Sequence, residues 1–481
     1  MKTNRKSDFR QSVFLTTMCI MVIPMIMLSC RGNMSNADVA KGNYSSKEKS
    51  KKSYIINKKS ELWKYIDTLK IIDTHEHIDR EADLLGLKLD VFDMMIPYVI
   101  DNLQSAGMTR EEMQLMSNKE VDFNKKWDAF YKYYPYIENT TYFLVLRTAL
   151  EDQYQLKSVS KEEFQRISNL LTQDFAERGF MKKFMDRNKI ESILSFRSCS
   201  LTEVRNTFGE NNVTIVPTVS LIQVGDANSL ENISRMTEMP IRNLDDILKG
   251  IDHLLSEYNT LGIKNLKFGN GYYRELNFRN RTREEAESAF ARIMKPAPGS
   301  TPTLPNTLSP DQTVLDDYLA VYIISLASKY MMNVIFHCGI TAWNRNYVKY
   351  SHTSGMEWLV STFPDVNFVL LHAGFPFFDE AMLLAKYYPN VYINMTWDHI
   401  IDREKSINIM KSYIEMLPTN KIHAFGGDYF YPQQIAGHLI FAKENIYLAF
   451  NDLIKKGIMT IDEAKKVIYD WLYANPKTFY F

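Results

Sequence analysis

Short apolar segments that alternate with amphipathic segments constrain the fold of this chain more than any other feature. Helical patterns such as residues 244–258 and 314–330 separate them. This alternation is typical of a parallel α/β fold, and eight strand–helix units predict a TIM-type (β/α)8 barrel, whose chemistry lies at the C-terminal strand ends. The eight predicted strands are residues 69–73, 191–196, 213–219, 263–268, 333–337, 367–372, 391–395 and 422–427.

Two long segments interrupt this alternation. Residues 82–188 separate the first two predicted strands and have mainly helical patterns, so they predict a large helical insertion. A second insertion spans residues 277–313 and ends in the Pro/Ser/Thr-rich stretch 296–310. Both insertions are expected to overhang the barrel mouth and to shape substrate access.

The first 59 residues have the composition of a targeting segment and a linker. Basic residues precede an apolar run over residues 13–28, and Leu28-Ser29-Cys30 resembles a bacterial lipoprotein cleavage box. We expect a signal peptide over residues 1–30, a lipid on Cys30 and a flexible tether over residues 31–59. An uncleaved anchor and a plain signal peptide are the alternatives. The expected location is the bacterial cell envelope, facing the periplasm or the surface.

Composition limits the partners of the remaining chain. The sequence is 45% apolar and 13% aromatic, as expected of a globular protein. Removing residues 1–29 leaves 53 basic against 56 acidic residues, which argues against a nucleic-acid binder. We therefore expect a small-molecule partner and membrane contact through the lipid anchor alone.

A His-x-His motif follows the first predicted strand. In an extended strand alternate side chains share one face, so Asp73, His75 and His77 point in the same direction. Two imidazoles placed in this way can bind one divalent ion together.

Four other predicted strands also end in a polar side chain. The four side chains are those of Lys267, His337, His372 and Asp428. A single buried histidine is usually structural, but matching positions at several strand ends of one barrel favour a shared site. Imidazoles and a carboxylate suit Zn²⁺ or a similar divalent ion, which makes bound water more acidic and polarises a carbonyl group.

These motifs resemble the amidohydrolase superfamily, in the branch of amidohydrolase-related proteins that includes decarboxylases and metal-dependent hydrolases. The resemblance covers about residues 60–481. It rests on Asp73-Thr74-His75-Glu76-His77, Phe336-His337-Cys338-Gly339, Leu371-His372-Ala373-Gly374-Phe375-Pro376 and Phe425-Gly426-Gly427-Asp428.

The resemblance implies a ligand set and two catalytic residues. His75, His77, His337 and Asp428 are expected to contact a divalent metal, with zinc as the expected ion. Asp428 would also accept the proton of the attacking water. His372 would bind a second ion or act as a base beside the first.

The role of Lys267 and the identity of the substrate-binding residues stay open at this stage. A carbamylated Lys267 would bridge two metals, whereas an unmodified one would hold an anionic substrate, and the branch favours one ion over two. Tyr272 and Arg274 follow Lys267 closely and could line the pocket, although a structural salt bridge suits Arg274 equally well. His399 could reach the substrate.

The sequence favours a metal-dependent hydrolase that activates water to cleave an amide, ester or lactone of a small molecule. Alternatives are a non-oxidative decarboxylase or a uronate-isomerase-like enzyme, which the superfamily permits. A non-catalytic binding protein of the cell envelope is the alternative from another class.

Overall fold

The computed structural model describes residues 54–207, 212–219, 223–295, 307–343 and 346–481. The predicted signal peptide, Cys30 and the tether up to residue 53 lie outside the described residues, as does the 296–306 stretch of the second insertion. Within the described ranges, no helix combines the length and the apolar character needed to cross a membrane.

The described residues contain eight strands, and each overlaps its predicted segment. They are short because each needs only to line a narrow barrel. Their bounds are Ile71–Glu76 (β1), Ile190–Arg197 (β2), Val213–Pro217 (β3), Asn265–Phe268 (β4), Asn333–Phe336 (β5), Phe368–Leu370 (β6), Val391–Asn394 (β7) and Ile422–His423 (β8).

The strands run parallel and follow one another in chain order. Strands β1 to β3 pair as one sheet and β4 to β8 as another. A bridge between Thr218 and Lys267 joins β3 to β4. Between β1 and the segment that follows β8, the backbone N–H of Thr74 donates to the carbonyl oxygen of Phe425. All eight strand ends therefore converge on one face, as the predicted TIM-type barrel requires.

Helices fill the segments between the strands. One, Glu61–Thr68 (α1), precedes β1. Eight lie between β1 and β2: Glu81–Leu84 (α2), Tyr98–Ser105 (α3), Arg110–Ser117 (α4), Phe123–Tyr131 (α5), Tyr134–Ile137 (α6), Thr141–Tyr154 (α7), Lys161–Asp174 (α8) and Phe180–Asn188 (α9). Those after β2 are Leu201–Thr207 (α10), Ala227–Thr237 (α11), Leu244–Thr260 (α12), Arg283–Met294 (α13), Pro310–Lys329 (α14), Glu357–Thr362 (α15), Phe378–Tyr387 (α16), Asp398–Ile401 (α17), Arg403–Met416 (α18), Pro432–Lys455 (α19), Ile461–Tyr469 (α20) and Asn475–Tyr480 (α21).

The helical segment between β1 and β2 has a core of its own but belongs to the same compact unit as the barrel. Phe92, Phe130 and Phe164 pack edge-on and stacked at its centre. The side-chain amide of Gln434, at the start of α19, donates to the carbonyl oxygens of Met94 and Ile96. The insertion is thereby fixed to the turn that follows β8.

The N-terminal ends of the strands form the lower end of the barrel, and their C-terminal ends form the upper end. The interior of the lower half is apolar and is closed by the C-terminal helix α21. Side chains of β2, β3, β5 and β6 meet Tyr480 in one buried cluster. The Asn265 side chain donates to the Tyr480 carbonyl oxygen, and the Tyr480 hydroxyl lies 2.7 Å from Nδ1 of His423. The Asn265 amide and Nδ1 of His423 are thus paired with the C-terminal helix.

Candidate metal centre

Three of the four predicted ligands meet where β1 and β8 end. The Oδ1 atom of Asp428 lies 3.1 Å from Nε2 of His75 and 3.0 Å from Nε2 of His77. The ligand atoms of all three lie within 4.8 Å of one another. His75 is buried, whereas 35% of the His77 side chain is exposed. The trio therefore forms a candidate metal site that opens toward solvent on one side.

The turn that carries Asp428 packs closely on β1 because two glycines precede it. A Cβ on Gly426 would overlap the Thr396 hydroxyl, and one on Gly427 would overlap the Glu76 carboxylate. The backbone N–H of Asp428 donates to the carbonyl oxygen of His75 at 2.8 Å. These contacts bring the carboxylate to the two imidazoles, although Asp428 lies 351 positions after His77 in the chain.

The proton positions within the trio fit a divalent cation. Nδ1 of His77 lies 2.8 Å from the Phe196 carbonyl oxygen, which can only accept, so Nδ1 carries a hydrogen and Nε2 is the nitrogen directed at Asp428. In the tautomer with its hydrogen on Nδ1, Nε2 can bind a cation beside the Asp428 carboxylate. Burial lowers the pKa of His75 well below its usual range. Burial alone would raise the pKa of Asp428, but His75 and His77 hold it well below its usual range.

His337 lies outside this trio and faces His372 instead. Nε2 of His337 lies 3.0 Å from the Ile340 carbonyl oxygen, and Nδ1 of His372 lies 3.1 Å from that of Thr396. Both nitrogens must donate, so the two remaining nitrogens face each other at 3.0 Å with lone pairs only. A shared proton or an ion must stabilise this contact.

The two histidine groups are neighbours, since the His75 and His372 ring centroids are 6.2 Å apart. The His337–His372 pair is thus a position for the second ion that the sequence left open. Ligation of the first ion by His337 stays a prediction.

Lys267 lies beside the trio at the end of β4. Its Nζ is 5.3 Å from the Phe196 ring, and the same ring stacks on His75 at 3.8 Å. Burial lowers the pKa of the amine to about 7. A neutral amine is the form that carbamylation requires, and the protonated amine would attract an anionic substrate, so both predicted roles remain open.

The three predicted substrate-binding residues have different surroundings. Arg274 is buried and forms ion pairs with Asp316 and Asp317 at 2.9 and 2.6 Å, which favours the structural salt bridge. The Tyr272 ring lies against His337, with centroids 4.2 Å apart, so Tyr272 is at the site. His399 is buried and its Nε2 donates to the Ala424 carbonyl oxygen; its substrate role stays a prediction.

Sequence reasoning missed the residues that support the turn of Asp428. The backbone N–H of Tyr429 donates to Oε2 of Glu76 at 2.7 Å. Burial raises the pKa of Glu76 well above its usual range and that of Asp73 to about 7. The Tyr98 hydroxyl donates to the Asp428 carbonyl oxygen. Asp73 and Glu76 belong to the same motif as His75 and His77, so the motif could have identified them. No local pattern identifies Tyr98.

Comparison with protein families matches residues 306–481 to the amidohydrolase family. This segment contains His337, His372 and Asp428. A curated relative is Protein fluG from Emericella nidulans, which is 25% identical over 207 residues. That match covers 42% of this chain, and the chain spans 23% of the length of the relative.

Solved structures resemble the chain over most of its length. A uronate isomerase from Thermotoga maritima superposes with a TM-score of 0.68 at 16% identity, covering 87% of this chain and 96% of that one. A protein named as a metal-dependent hydrolase from Lactobacillus casei gives 0.59 at 15% identity, covering 87% and 97%. At such identities the likeness shows the fold. The chain thus has the TIM-barrel fold of these structures, and the match of residues 306–481 to the amidohydrolase family confirms the resemblance that its motifs predicted.

Proposed function

We propose that this chain is a metal-dependent hydrolase that cleaves an amide, ester or lactone bond of a small molecule with water. One observation carries the proposal: two imidazole nitrogens converge on Oδ1 of Asp428 at 3.0 and 3.1 Å. Imidazoles and a carboxylate are ligands that zinc prefers, and the exposed side of His77 leaves access for substrate.

The residues of the chain would divide the work as follows. A divalent ion held by the trio would polarise the scissile carbonyl group and make water a better nucleophile. Asp428 would accept the proton of the attacking water and return it to the leaving group. Lys267 would attract an anionic group of the substrate, and the Tyr272 ring would form one wall of the pocket.

The test is turnover of a substrate panel in water enriched in oxygen-18. The purified chain would be loaded with Zn²⁺, Mn²⁺ or Co²⁺ and mixed with lactones, N-acyl compounds and esters. We expect hydrolysis of one class, with one heavy oxygen in the product acid, and loss of turnover after chelation. Release of CO₂ from an aromatic or unsaturated acid without heavy oxygen would contradict the proposal and indicate a decarboxylase.

Uronate isomerisation is the second candidate. The structural neighbour from Thermotoga maritima is named as a uronate isomerase. Lys267 supplies a buried amine near the trio that could bind a uronate carboxylate. Isomerisation consumes no water, so proton NMR of glucuronate and galacturonate mixtures distinguishes it from hydrolysis. Binding of substrates without any conversion by the metal-loaded chain would favour the non-catalytic alternative.

The number of ions is a separate part of the proposal. We favour one ion at the trio, with an unmodified Lys267. Elemental analysis should then give one metal per chain, and carbon-13 NMR in labelled bicarbonate should show no carbamate. Two metals with a carbamate signal would instead assign the second ion to His337 and His372.

We also propose that the chain is anchored in the bacterial envelope through Cys30. This proposal rests on the cleavage-box pattern in residues 28–30. Replacing the cysteine (Cys30→Ser) should move the protein from the membrane fraction to the soluble fraction of the host; unchanged membrane association would contradict lipidation.

A further inference from the structure

The backbone of the turn that carries Asp428 is held by partners from several parts of the chain. The Trp397 amide donates to the Gly426 carbonyl oxygen, and Nδ1 of His438 donates to that of Gly427. Asp428 itself has a φ of +69°, in the left-handed region that a side chain other than glycine rarely adopts. Such a conformation persists only where the surroundings fix it.

Tyr98 supplies the bond to Asp428 that comes from the helical insertion. Its hydroxyl donates to the Asp428 carbonyl oxygen at 2.6 Å, and 3% of the residue is exposed. Its ring stacks on Trp397, with centroids 4.4 Å apart. Tyr98 begins α3 and lies 330 positions before Asp428 in the chain. The ring is thus fixed by packing, and the hydroxyl is fixed in direction.

We propose that Tyr98 is a positioning residue of the metal centre, which holds the Asp428 backbone so that its carboxylate stays directed at His75 and His77. The proposal rests on the proposed function, because it assumes that this trio binds the ion. The carbonyl group and the carboxylate of Asp428 branch from the same Cα atom. The Tyr98 bond therefore restrains the position of the Asp428 Cα atom from which the carboxylate projects, and loss of the bond lets the strained turn shift.

A consequence is that the helical insertion contributes to the metal centre rather than only covering the barrel mouth. The amide of Gln434 reinforces the same contact, because it donates to Ile96 two residues before Tyr98. Folding of the insertion and ordering of the ligand turn are therefore coupled through this contact.

The test compares metal affinity in Tyr98→Phe and in a matched control. The phenylalanine keeps the ring that stacks on Trp397 and removes only the hydroxyl. We expect Zn²⁺ affinity, measured by competition with a chromophoric chelator, to fall about ten- to hundred-fold, as is typical for partners of metal ligands. The visible spectrum of the Co²⁺-loaded chain should also change, because the ligand geometry changes. Loss of fold stability alone would not alter that spectrum.

The control is Tyr154→Phe. Tyr154 lies in the same insertion, on α7, and its hydroxyl donates to the Asp174 carboxylate rather than to the ligand turn. This variant should bind Zn²⁺ and Co²⁺ as the parent chain does. A control that loses as much affinity as Tyr98→Phe would overturn the proposal, since any damage to the insertion would then suffice.

Two further outcomes separate this inference from the proposed function. Unchanged affinity and an unchanged Co²⁺ spectrum in Tyr98→Phe overturn the role of Tyr98 and leave the proposed function intact. A parent chain that binds neither ion overturns both. If Tyr98→Phe does not fold, 3-fluorotyrosine at position 98 keeps the hydroxyl. Its fluorine resonance should shift when Zn²⁺ is added, and a resonance that does not move overturns the inference.

Discussion

The two ends of the barrel both contain buried histidines, but they differ in what the imidazole nitrogens face. At the lower end, the Asn394 amide donates to the Tyr480 hydroxyl, which lies 2.7 Å from Nδ1 of His423, and Nε2 of His423 has no hydrogen-bond partner among the described residues. At the upper end, Nε2 of His77 faces Oδ1 of Asp428, and Nδ1 of His337 faces Nε2 of His372. Burial is similar, since His423 and His372 are both 0% exposed.

This difference shows that a buried histidine by itself does not indicate a functional site. A polar group whose partner supplies the missing donor or acceptor stabilises the fold. Ring nitrogens that converge on a carboxylate or on each other need a shared proton or a metal ion between them, so such a cluster is a candidate binding site for an ion. The following predictions test whether the upper end binds metal and the lower end only stabilises.

The largest expected effect is the loss of the metal from the upper end. The double variant His75→Ala/His77→Ala removes two of the three ligands and should abolish both metal content and turnover. Elemental analysis after loading with Zn²⁺ measures the result. His253→Ala, on α12, should retain the ion. Full metal content in the double variant would mean that the trio is not the ligand set.

A single change at the third ligand should separate folding from catalysis. Asp428→Asn keeps the shape of the side chain and removes its charge, so turnover should fall about 10²- to 10⁴-fold because the proton acceptor is lost. Circular dichroism should show a folded chain. The surface variant Asp252→Asn is the control. Near-normal turnover in Asp428→Asn would exclude the proton-transfer role.

Arg274 is a polar residue after β4 whose hydrogen bonds are satisfied, so its loss should affect stability rather than binding. Arg274→Ala removes one ion-pair partner from each of the buried carboxylates of Asp316 and Asp317, which keep Asn270 and Arg281, and should cost about 3 kcal/mol of unfolding free energy. Arg205→Ala breaks an exposed pair with Glu257 and should cost under about 1 kcal/mol. Urea denaturation measures both. Normal stability with a raised KM would instead assign Arg274 to the substrate.

The smallest expected effect is at the lower end of the barrel. Tyr480→Phe removes the hydroxyl between His423 and Asn394 and should lower stability by about 1–3 kcal/mol. Zn²⁺ affinity should not change, because the trio lies at the other end. Tyr322→Phe, which loses an exposed contact with Asp252, is the control for thermal unfolding. Weakened Zn²⁺ binding in Tyr480→Phe would show that the two ends are not independent.

Local sequence patterns predicted the eight strands and the polar residues that end them. The period of two in β1 placed His75 and His77 on one face, and the shared geometry of a barrel predicted that Asp428 would lie near them. Strand bounds deviated most at β8, which ends at His423, because the glycines after it form a turn against β1 instead of continuing the strand. The pairing of His337 with His372 was not predicted, since it depends on the side-chain nitrogens that face each carbonyl group.

The amino-acid sequence by itself determined the class of fold and the strand ends that carry histidine, lysine and aspartate side chains. These follow from the alternation of apolar and polar residues, which is local and sets which face of each strand is buried. Only the tertiary structure decided which lone pairs face one another, that Arg274 is paired with Asp316 and Asp317, and that Tyr98 contacts Asp428. Those contacts join residues tens to hundreds of positions apart, and packing alone determines which of them come within hydrogen-bonding distance.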